Sequence, residues 1–248
     1  MDFQRRHYCG RTTIAAVAGQ CEHSEVVAFL APSLSRLPVG QVPRFQRAPR
    51  EIGPARLNLH THETEQTHLA LGFHAFGRRD ERRYALKLLS VILGENMSSR
   101  LFQKLRERHG YCYSIQSSTV TLADSGAISI YAGLDHGKLE RATKMILKEL
   151  EAICQRAPSK GELRQAKDYA VGQTLMGLES TTNQMMWLGE SLIGYGVVHD
   201  PSEVEARIQA VTSEDIQRCA CYCLHRGRLG IAVVGPERER SRVESWLA

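Results

Sequence analysis

Apolar and polar residues alternate along several short stretches of the chain, and each of these predicts a β-strand. The stretches are residues 55–62, 67–73, 111–121, 127–132 and 228–234. Residues 11–19 (RTTIAAVAG), which are β-branched and apolar and end in glycine, predict a further strand near the start. The triplet Asp124-Ser125-Gly126 separates two of the strands and is typical of a hairpin turn.

Other stretches repeat their apolar residues with helical spacing. They are residues 23–34, 80–93, 98–110, 137–155, 163–194 (with breaks near Ser180 and Gly189), 200–211, 212–224 and 237–248. Pro32 is expected to end the first of them. Ser98 is a plausible N-cap of the third helix, and Gly110 is placed to end it. Ser159 followed by Glu162 fits a capping box.

The order of these elements predicts an α+β fold, with helices packed on a largely antiparallel sheet. An aperiodic stretch that is rich in proline and glycine predicts a linker over residues 38–55. The strand and helix predicted before this linker echo the last strand and helix of the chain. We therefore predict that residues 1–37 are the end of one domain and that residues 56–248 form a second domain of the same fold.

Composition narrows the possible classes of function. The net charge of +5 is spread without a basic stripe, which argues against nucleic-acid binding. No apolar run is long enough to predict a membrane span, and no signal peptide pattern follows the start. The seven cysteines include no C-x-x-C pair, so we expect reduced thiols in a cytoplasmic protein, in preference to a metal site or disulfides.

The ten histidines include no zinc-peptidase motif, neither H-x-x-E-H nor H-E-x-x-H. His60 and His62 are two residues apart and would share one side of a strand. With a third ligand they could chelate a metal. The preferred interpretation is a solvated polar strand face, because such faces are common and short motifs often match by chance.

Residues 96–132 read NMSSRLFQKLRERHGYCYSIQSSTVTLADSGAISIYA. This segment resembles the C-terminal, non-zinc-binding half of the pitrilysin/insulinase zinc peptidases, which include the mitochondrial processing peptidases. Further segments agree in the same order across nearly the whole chain: EQTHLALGF, YAGLD, SKGELRQAKDY, GLES and AVTSEDIQRCA. The resemblance implies a processing-peptidase-like metallohydrolase domain. It also implies that the chain begins almost at the end of a zinc-binding half.

In the family resembled, this half supplies an arginine and a tyrosine seven positions apart, which correspond to Arg106 and Tyr113. From spacing alone, Arg106 would be one of several surface arginines and Tyr113 a packed strand residue. The resemblance favours a functional role for both. A guanidinium and a phenol can donate hydrogen bonds to a substrate carbonyl and to the oxyanion formed when water attacks it.

Two functions follow from this resemblance. In the first, the chain is the non-zinc-binding half of a zinc metalloendopeptidase. It would bind a peptide or unfolded protein, complete the active site of a zinc-carrying partner half or of a homodimer mate, and be inactive alone. Zinc would then lie in the partner half, and none would be bound by this chain. In the second, the chain is a catalytically inactive scaffold or peptide-binding subunit.

Overall fold

The computed structural model of the chain describes residues 2–42, 45–49 and 56–236. The helix predicted over 237–248 and part of the predicted linker lie outside these residues. The chain divides into two compact units. The larger takes in the described parts of Pro49–Val171 and Glu205–Ala248, and the smaller those of Met1–Ala48 and Gly172–Val204. The domain boundaries predicted from the sequence stay a prediction.

A five-stranded sheet forms the centre of the larger unit. Its strands are β1 (Arg56–Thr61), β2 (Thr67–Ala75), β3 (Cys112–Thr121), β4 (Gly126–Leu134) and β5 (Leu229–Gly235). They lie in the order β1-β5-β2-β4-β3. Only the β1–β5 pair is parallel, and the other three pairs are antiparallel. The predicted α+β fold with a largely antiparallel sheet is therefore confirmed.

The alternation in these strands separates a buried face from an open face. Leu69 and Leu71 of β2 and Ile130 of β4 are almost completely buried. The residues that alternate with the buried ones, such as Gly72 and Ser129, lie on the other face. Side chains of neighbouring strand residues point to opposite faces, so this pattern requires helices on one side of the sheet only.

Helices cover the buried face of the sheet. In chain order the helices are α1 (Asp2–His7), α2 (His23–Leu34), α3 (Arg83–Ser90), α4 (Leu139–Gln155), α5 (Lys160–Gly177), α6 (Thr181–Tyr195), α7 (Pro201–Ala210) and α8 (Ser213–Cys223). In the larger unit, α8 packs against α3 and α4 and also contacts β2. α4 buries Leu139, Ala142 and Ile146 on one face, as its helical spacing predicts. None of the helices in the described ranges has the length and apolar character needed to cross a bilayer.

Two of the predicted helices are partly π-helical. α3 continues into π1 (Val91–Glu95), and the next helix is mainly π2 (Phe102–Arg108). A Cβ atom on Gly94 would lie 2.7 Å from the backbone nitrogen of Ser117 in β3, which is closer than any side chain allows. Glycine therefore lets π1 lie directly on the sheet. The buried Ser117 hydroxyl donates to the Ser90 carbonyl at 2.6 Å and joins the end of α3 to β3.

The predicted capping box at the start of α5 is confirmed. The Ser159 amide donates to the Glu162 carboxylate at 2.9 Å, and the Glu162 amide donates to the Ser159 hydroxyl at 3.2 Å. Arg100 also donates to Glu162 at 2.7 Å and so joins the helix that follows π1 to α5. Burial would raise the pKa of Glu162, but the hydrogen bonds from Arg100 and Ser159 outweigh it and lower the pKa to about 2.

We expect Glu162→Gln to destabilise the protein near neutral pH by about 1 kcal/mol, because glutamine can still cap the helix but cannot pair with Arg100. The folded pKa is depressed below the ordinary value of 4.5. The ion pair therefore stabilises the fold fully above that value, and its contribution is lost as the pH falls toward 2. Urea unfolding at a series of pH values should show the two proteins converging in acid. Glu140→Gln, which alters an exposed pair with Lys144, should show a smaller difference throughout.

The smaller unit contains two departures from the sequence-based prediction. Residues 11–19 do not form a strand. The described part of this unit contains no strand at all, and a strand needs a neighbour to take up its backbone hydrogen bonds. The predicted break at Ser180 is confirmed, but α6 continues through Gly189. A Cβ on Gly189 would meet the Cβ of Ala16 at 3.5 Å, so this glycine lies at a packed contact. Such packing can outweigh the cost of about 1 kcal/mol for glycine in a helix.

The helix α2 is confirmed with the predicted bounds, although Pro32 lies inside it and the helix continues to Leu34. None of its residues is buried. Val27 and Phe29 are exposed although both are apolar. The apolar side chains of α2 are therefore left without a hydrophobic core to pack against in the described structure.

Candidate functional site

The helix that carries Arg106 begins at a polar turn. The Asn96 side chain accepts a hydrogen bond from the Ser98 amide at 2.9 Å, and the Asn96 carbonyl accepts one from the Ser99 amide at 3.1 Å. These bonds form a turn just before the helix, and the capping by Ser98 that the sequence favours stays a prediction. Beyond this turn, Leu101 and Leu105 are completely buried. Their burial fixes the helix on the core and leaves Arg106 on the exposed side.

Gly110 ends this helix, as predicted, with a left-handed φ of 57°. Its amide donates to the Arg106 carbonyl at 3.1 Å, and the Tyr111 amide donates to the Leu105 carbonyl at 2.8 Å. A residue with a Cβ adopts this conformation at a cost of roughly 1–2 kcal/mol. The turn reverses the chain directly into β3, so the end of π2 and the start of β3 lie side by side.

A β-bulge at the start of β3 sets the direction of Tyr113. Cys112 pairs with Leu134 and Ser114 pairs with Gly133, which leaves Tyr113 as the extra residue between them. Cys112 and Ile115 are both buried, whereas Tyr113 is 71% exposed. A bulge is a recurrent means of redirecting a side chain near functional sites. Here it brings the tyrosine out of the sheet, at an edge strand.

The structure brings the two predicted site residues together. The Arg106 guanidinium carbon lies 5.8 Å from the centre of the Tyr113 ring and 4.8 Å from that of the Phe102 ring. Both distances allow cation–π attraction. Among the described residues, neither the Arg106 guanidinium nor the Tyr113 hydroxyl has a hydrogen-bond partner. Two donors are therefore presented next to each other on an open surface.

Phe102 is the residue of this site that sequence reasoning did not find. Its ring is almost buried and lies one helical turn before Arg106, where it supports the guanidinium. An aromatic residue four positions before an arginine on a helix is the signal that could have identified it. Tyr111, by contrast, points toward His109 and Lys138, with its ring centre 5.1 Å from the histidine ring.

Cys112 lies between the two donors in sequence but takes no part in their chemistry. Burial raises the pKa of its thiol to about 11, although the nearby positive charge of Arg106 works in the opposite direction. The thiol therefore stays protonated at neutral pH and is a poor nucleophile. The groups that can act on a ligand here are the guanidinium and the phenol.

The other candidate from the sequence was the pair His60 and His62. The two rings stack with their centres 6.4 Å apart, and both residues are exposed beside the sheet edge. Within the described ranges, no three histidine, cysteine, aspartate or glutamate side chains are grouped so that they could hold a metal ion. The chelation hypothesis thus lacks a third ligand in this part of the chain, and the residues present do not fit a zinc site.

Comparison with known families agrees with the sequence resemblance. Residues 1–169 match the sequence profile of a family described as peptidase M16 inactive domain. A zinc protease of Streptomyces coelicolor is 34% identical over 99% of this chain and 55% of its own length. A zinc protease of Mycobacterium leprae is 36% identical over 99% of this chain and 56% of its own length. The chain spans about half the length of the curated relatives it matches.

Solved structures share the fold. A protease from Helicobacter pylori superposes with a TM-score of 0.81 at 19% identity, over 88% of this chain and 54% of its own. A peptidase M16 inactive domain from Pseudomonas fluorescens gives a TM-score of 0.79 at 21% identity, over 88% and 52% of the two chains. The resemblance to the pitrilysin/insulinase zinc peptidases is confirmed, and the chain belongs to the family of peptidase M16 inactive domains.

Proposed function

We propose that this chain is the substrate-binding, non-zinc-binding half of a zinc metalloendopeptidase, and that it completes the active site of a partner half that carries the zinc. The observation that supports this proposal most directly is the pair of unsatisfied donors at Arg106 and Tyr113. They lie 5.8 Å apart, measured from the guanidinium carbon to the ring centre, on an open surface.

The two donors suit a peptide carbonyl. A planar guanidinium can donate two parallel hydrogen bonds, and the phenol can add a third from another direction. When water attacks the carbonyl, its oxygen gains charge, and hydrogen bonds from charged or acidic donors strengthen. Arg106 and Tyr113 would thus stabilise the transition state more than the bound peptide, which is what accelerates a reaction.

The edge position of the site favours an extended ligand. Tyr113 lies on β3, which is the last strand of the sheet and has one free edge. An extended peptide could add to this edge through backbone hydrogen bonds, and its carbonyls would then pass close to the donors. We therefore propose a peptide or an unfolded protein segment as the substrate.

The zinc would come from the partner half, because the described residues of this chain do not fit a zinc site. Zinc supplies a nucleophilic water at neutral pH in peptidases of this kind. The partner would be a zinc-binding half of the same family. A second copy of the chain, which has no H-x-x-E-H motif, would suit the alternative scaffold function. The unburied apolar helix α2 supports such a partner, since Val27 and Phe29 would gain cover. We further propose that residues 1–37 complete the partner's domain.

A cytoplasmic location is part of the same proposal. All seven cysteines are unpaired in the structure, which is the usual state of thiols in the reducing cytoplasm. The alternative function, a scaffold or peptide-binding subunit without catalysis, would use the same edge of the sheet and would not need the two donors.

Mixing experiments test the proposal. The purified chain alone should not cleave a quenched fluorescent peptide, whereas a mixture with an H-x-x-E-H-bearing half of the family should cleave it. Size-exclusion chromatography of the same mixture should show a joint complex. Cleavage by the chain alone would contradict the proposal. A stable complex or peptide binding without cleavage would support the scaffold.

A further inference from the structure

The cysteines that played no part in the proposed function meet where α4 and α8 pack together. The Cys221 thiol of α8 donates to the Cys154 carbonyl in the last turn of α4 at 3.3 Å. The two thiols also lie close enough to affect each other's ionisation. The Gln217 side chain donates to the same carbonyl at 2.9 Å and holds the two helices at this point. The Cys221 sulfur thus lies directly against the residue that carries the second thiol.

Access from solvent distinguishes this pair from the neighbouring cysteines. Cys221 is exposed and Cys154 is partly exposed. Cys219 and Cys223 are both buried. A small oxidant in solution can therefore reach the outer pair and not the inner one.

We propose that Cys154 and Cys221 are a reversible redox pair, oxidised by a peroxide to a disulfide that links the end of α4 to α8. The Cys221 thiolate attacks one peroxide oxygen, the O–O bond breaks, and the leaving oxygen takes up protons as water or an alcohol. The Cys154 thiol then attacks the sulfur of the resulting sulfenic acid, its proton passes to the departing oxygen, and that oxygen leaves as water. Two thiols lose two electrons and two protons in total, and the peroxide is reduced. Excess free thiol reverses the reaction by exchange.

The electrostatics set the order of these steps. Burial, followed by the effect of the Cys221 thiol, raises the pKa of Cys154 to about 12, so Cys154 is protonated at neutral pH. Cys221 is the more exposed of the two and meets the oxidant first. Oxidation of Cys221 to a sulfenic acid removes that thiol, which after burial is the next cause of the raised pKa of Cys154. Cys154 is thereby able to act as the resolving thiol.

The Cys221 sulfur already lies 3.3 Å from the Cys154 carbonyl oxygen. To form the disulfide, the two sulfurs must come to about 2.05 Å from each other, with a dihedral angle near 90°. Cys221 is exposed, so its side chain can rotate without disturbing the core. Both residues lie near the surface of the packed helices, so the helices can stay in place as the sulfurs approach.

Peroxide treatment of the full chain, followed by alkylation and peptide mapping, tests the proposal. We expect a peptide linked through Cys154 and Cys221 that disappears after dithiothreitol treatment. Cys154→Ser and Cys221→Ser should each remove this linked peptide. Cys21→Ser, which removes an exposed cysteine elsewhere in the chain, should leave it unchanged. Oxidised wild-type protein should also melt at a higher temperature than reduced protein, and neither serine variant should show this shift.

Peptide mapping of the oxidised wild-type protein tests for the proposed disulfide even if a variant does not fold. A linked peptide that joins any other pair of cysteines would overturn the proposal. So would oxidation of Cys221 to a sulfinic acid without any link to Cys154. An equal rate of alkylation at Cys221 and at the buried Cys223 would contradict the difference in access on which the proposal rests.

Discussion

Tyr113→Phe and Arg106→Ala should each lower the kcat of the assembled peptidase by about 10²–10³-fold, which corresponds to ~2.7–4 kcal/mol of transition-state stabilisation. This expectation rests on the proposed function. Phenylalanine keeps the ring next to the guanidinium and removes only the hydroxyl. Alanine removes the guanidinium and leaves Phe102 in place. Because the donors would act on the developing oxyanion, kcat should fall much more than KM rises.

Two neighbouring substitutions serve as matched controls for this experiment. Arg108→Ala removes an exposed arginine two residues further along the same helix. Tyr111→Phe removes a hydroxyl two residues before Tyr113, from a ring that points toward Lys138 and His109. Both variants should retain kcat within a small factor of the wild type. Equal losses in Arg108→Ala and Arg106→Ala would mean that overall charge, and not a placed donor, is responsible.

Lys104→Met should cost the larger unit about 3 kcal/mol of unfolding free energy, because it leaves a buried carboxylate without a partner. Glu149 of α4 has only 7% of its side chain exposed and pairs with Lys104 of π2. Lys104 is 40% exposed, so water can partly reach the carboxylate after the change, and the cost should fall at the lower end of the range for buried pairs. Thermal unfolding should show a Tm lowered by about 6–12 °C.

The same charge pair allows a sharper comparison. Lys144→Met breaks the exposed pair between Lys144 and Glu140 within α4 and should cost less than about 0.5 kcal/mol. The double variant Lys104→Met/Glu149→Leu replaces the buried pair by apolar side chains and should recover most of the lost stability. If Lys104→Met and Lys144→Met lowered the Tm equally, burial of Glu149 would not be the cause. Since π2 carries Arg106, the single variant should also weaken the proposed peptidase activity.

Much of the larger unit follows from local sequence pattern. The alternation in β2 and β4 and the spacing of α4 each reflect one buried face. The capping boxes at Ser159 and Thr212 need only residues three positions apart, and both form as local chemistry dictates. The capping boxes depend on contacts between residues close in sequence. The alternation and the helical spacing depend on which residues are apolar and therefore buried. Both can be read from the sequence.

The segment 11–19 illustrates where local pattern fails. Its sequence, RTTIAAVAG, is very similar in character to RLGIAVVG at the end of the described chain. The second of these forms β5 because β1 and β2 lie on either side of it. The first has no strand beside it in the described residues and stays irregular. Strand formation is decided by the neighbour as much as by the residues themselves.

The candidate site was predictable in part. The resemblance singled out Arg106 and Tyr113, and the structure brings them close together. Spacing alone would not have done so, because their approach depends on the bulge at Tyr113 and on the π-helical turn at Arg106. The bulge shifts the alternation by one residue, so that the buried Cys112 and Ile115 are three positions apart, but a single shift of this kind also occurs by chance in sequences without a bulge. Neither feature has a reliable signature in the sequence, so the geometry had to be observed.

The order of strands in the sheet has a consequence for how the protein is made. β5 is the last strand of the described chain, yet it lies between β1 and β2, and Arg56 of β1 pairs with Gly230 of β5. During synthesis β2, β4 and β3 can pair as they leave the ribosome. β1 cannot form its pairs with β5 until residues 229–235 have also emerged. Closing so distant a pair slows folding and prolongs the exposure of strand edges. A ribosome that stalls before residue 229 would therefore release a protein without β5, in which β1 has lost its partner and β2 is an exposed sheet edge. An exposed edge of this kind can bind chaperones or start aggregation.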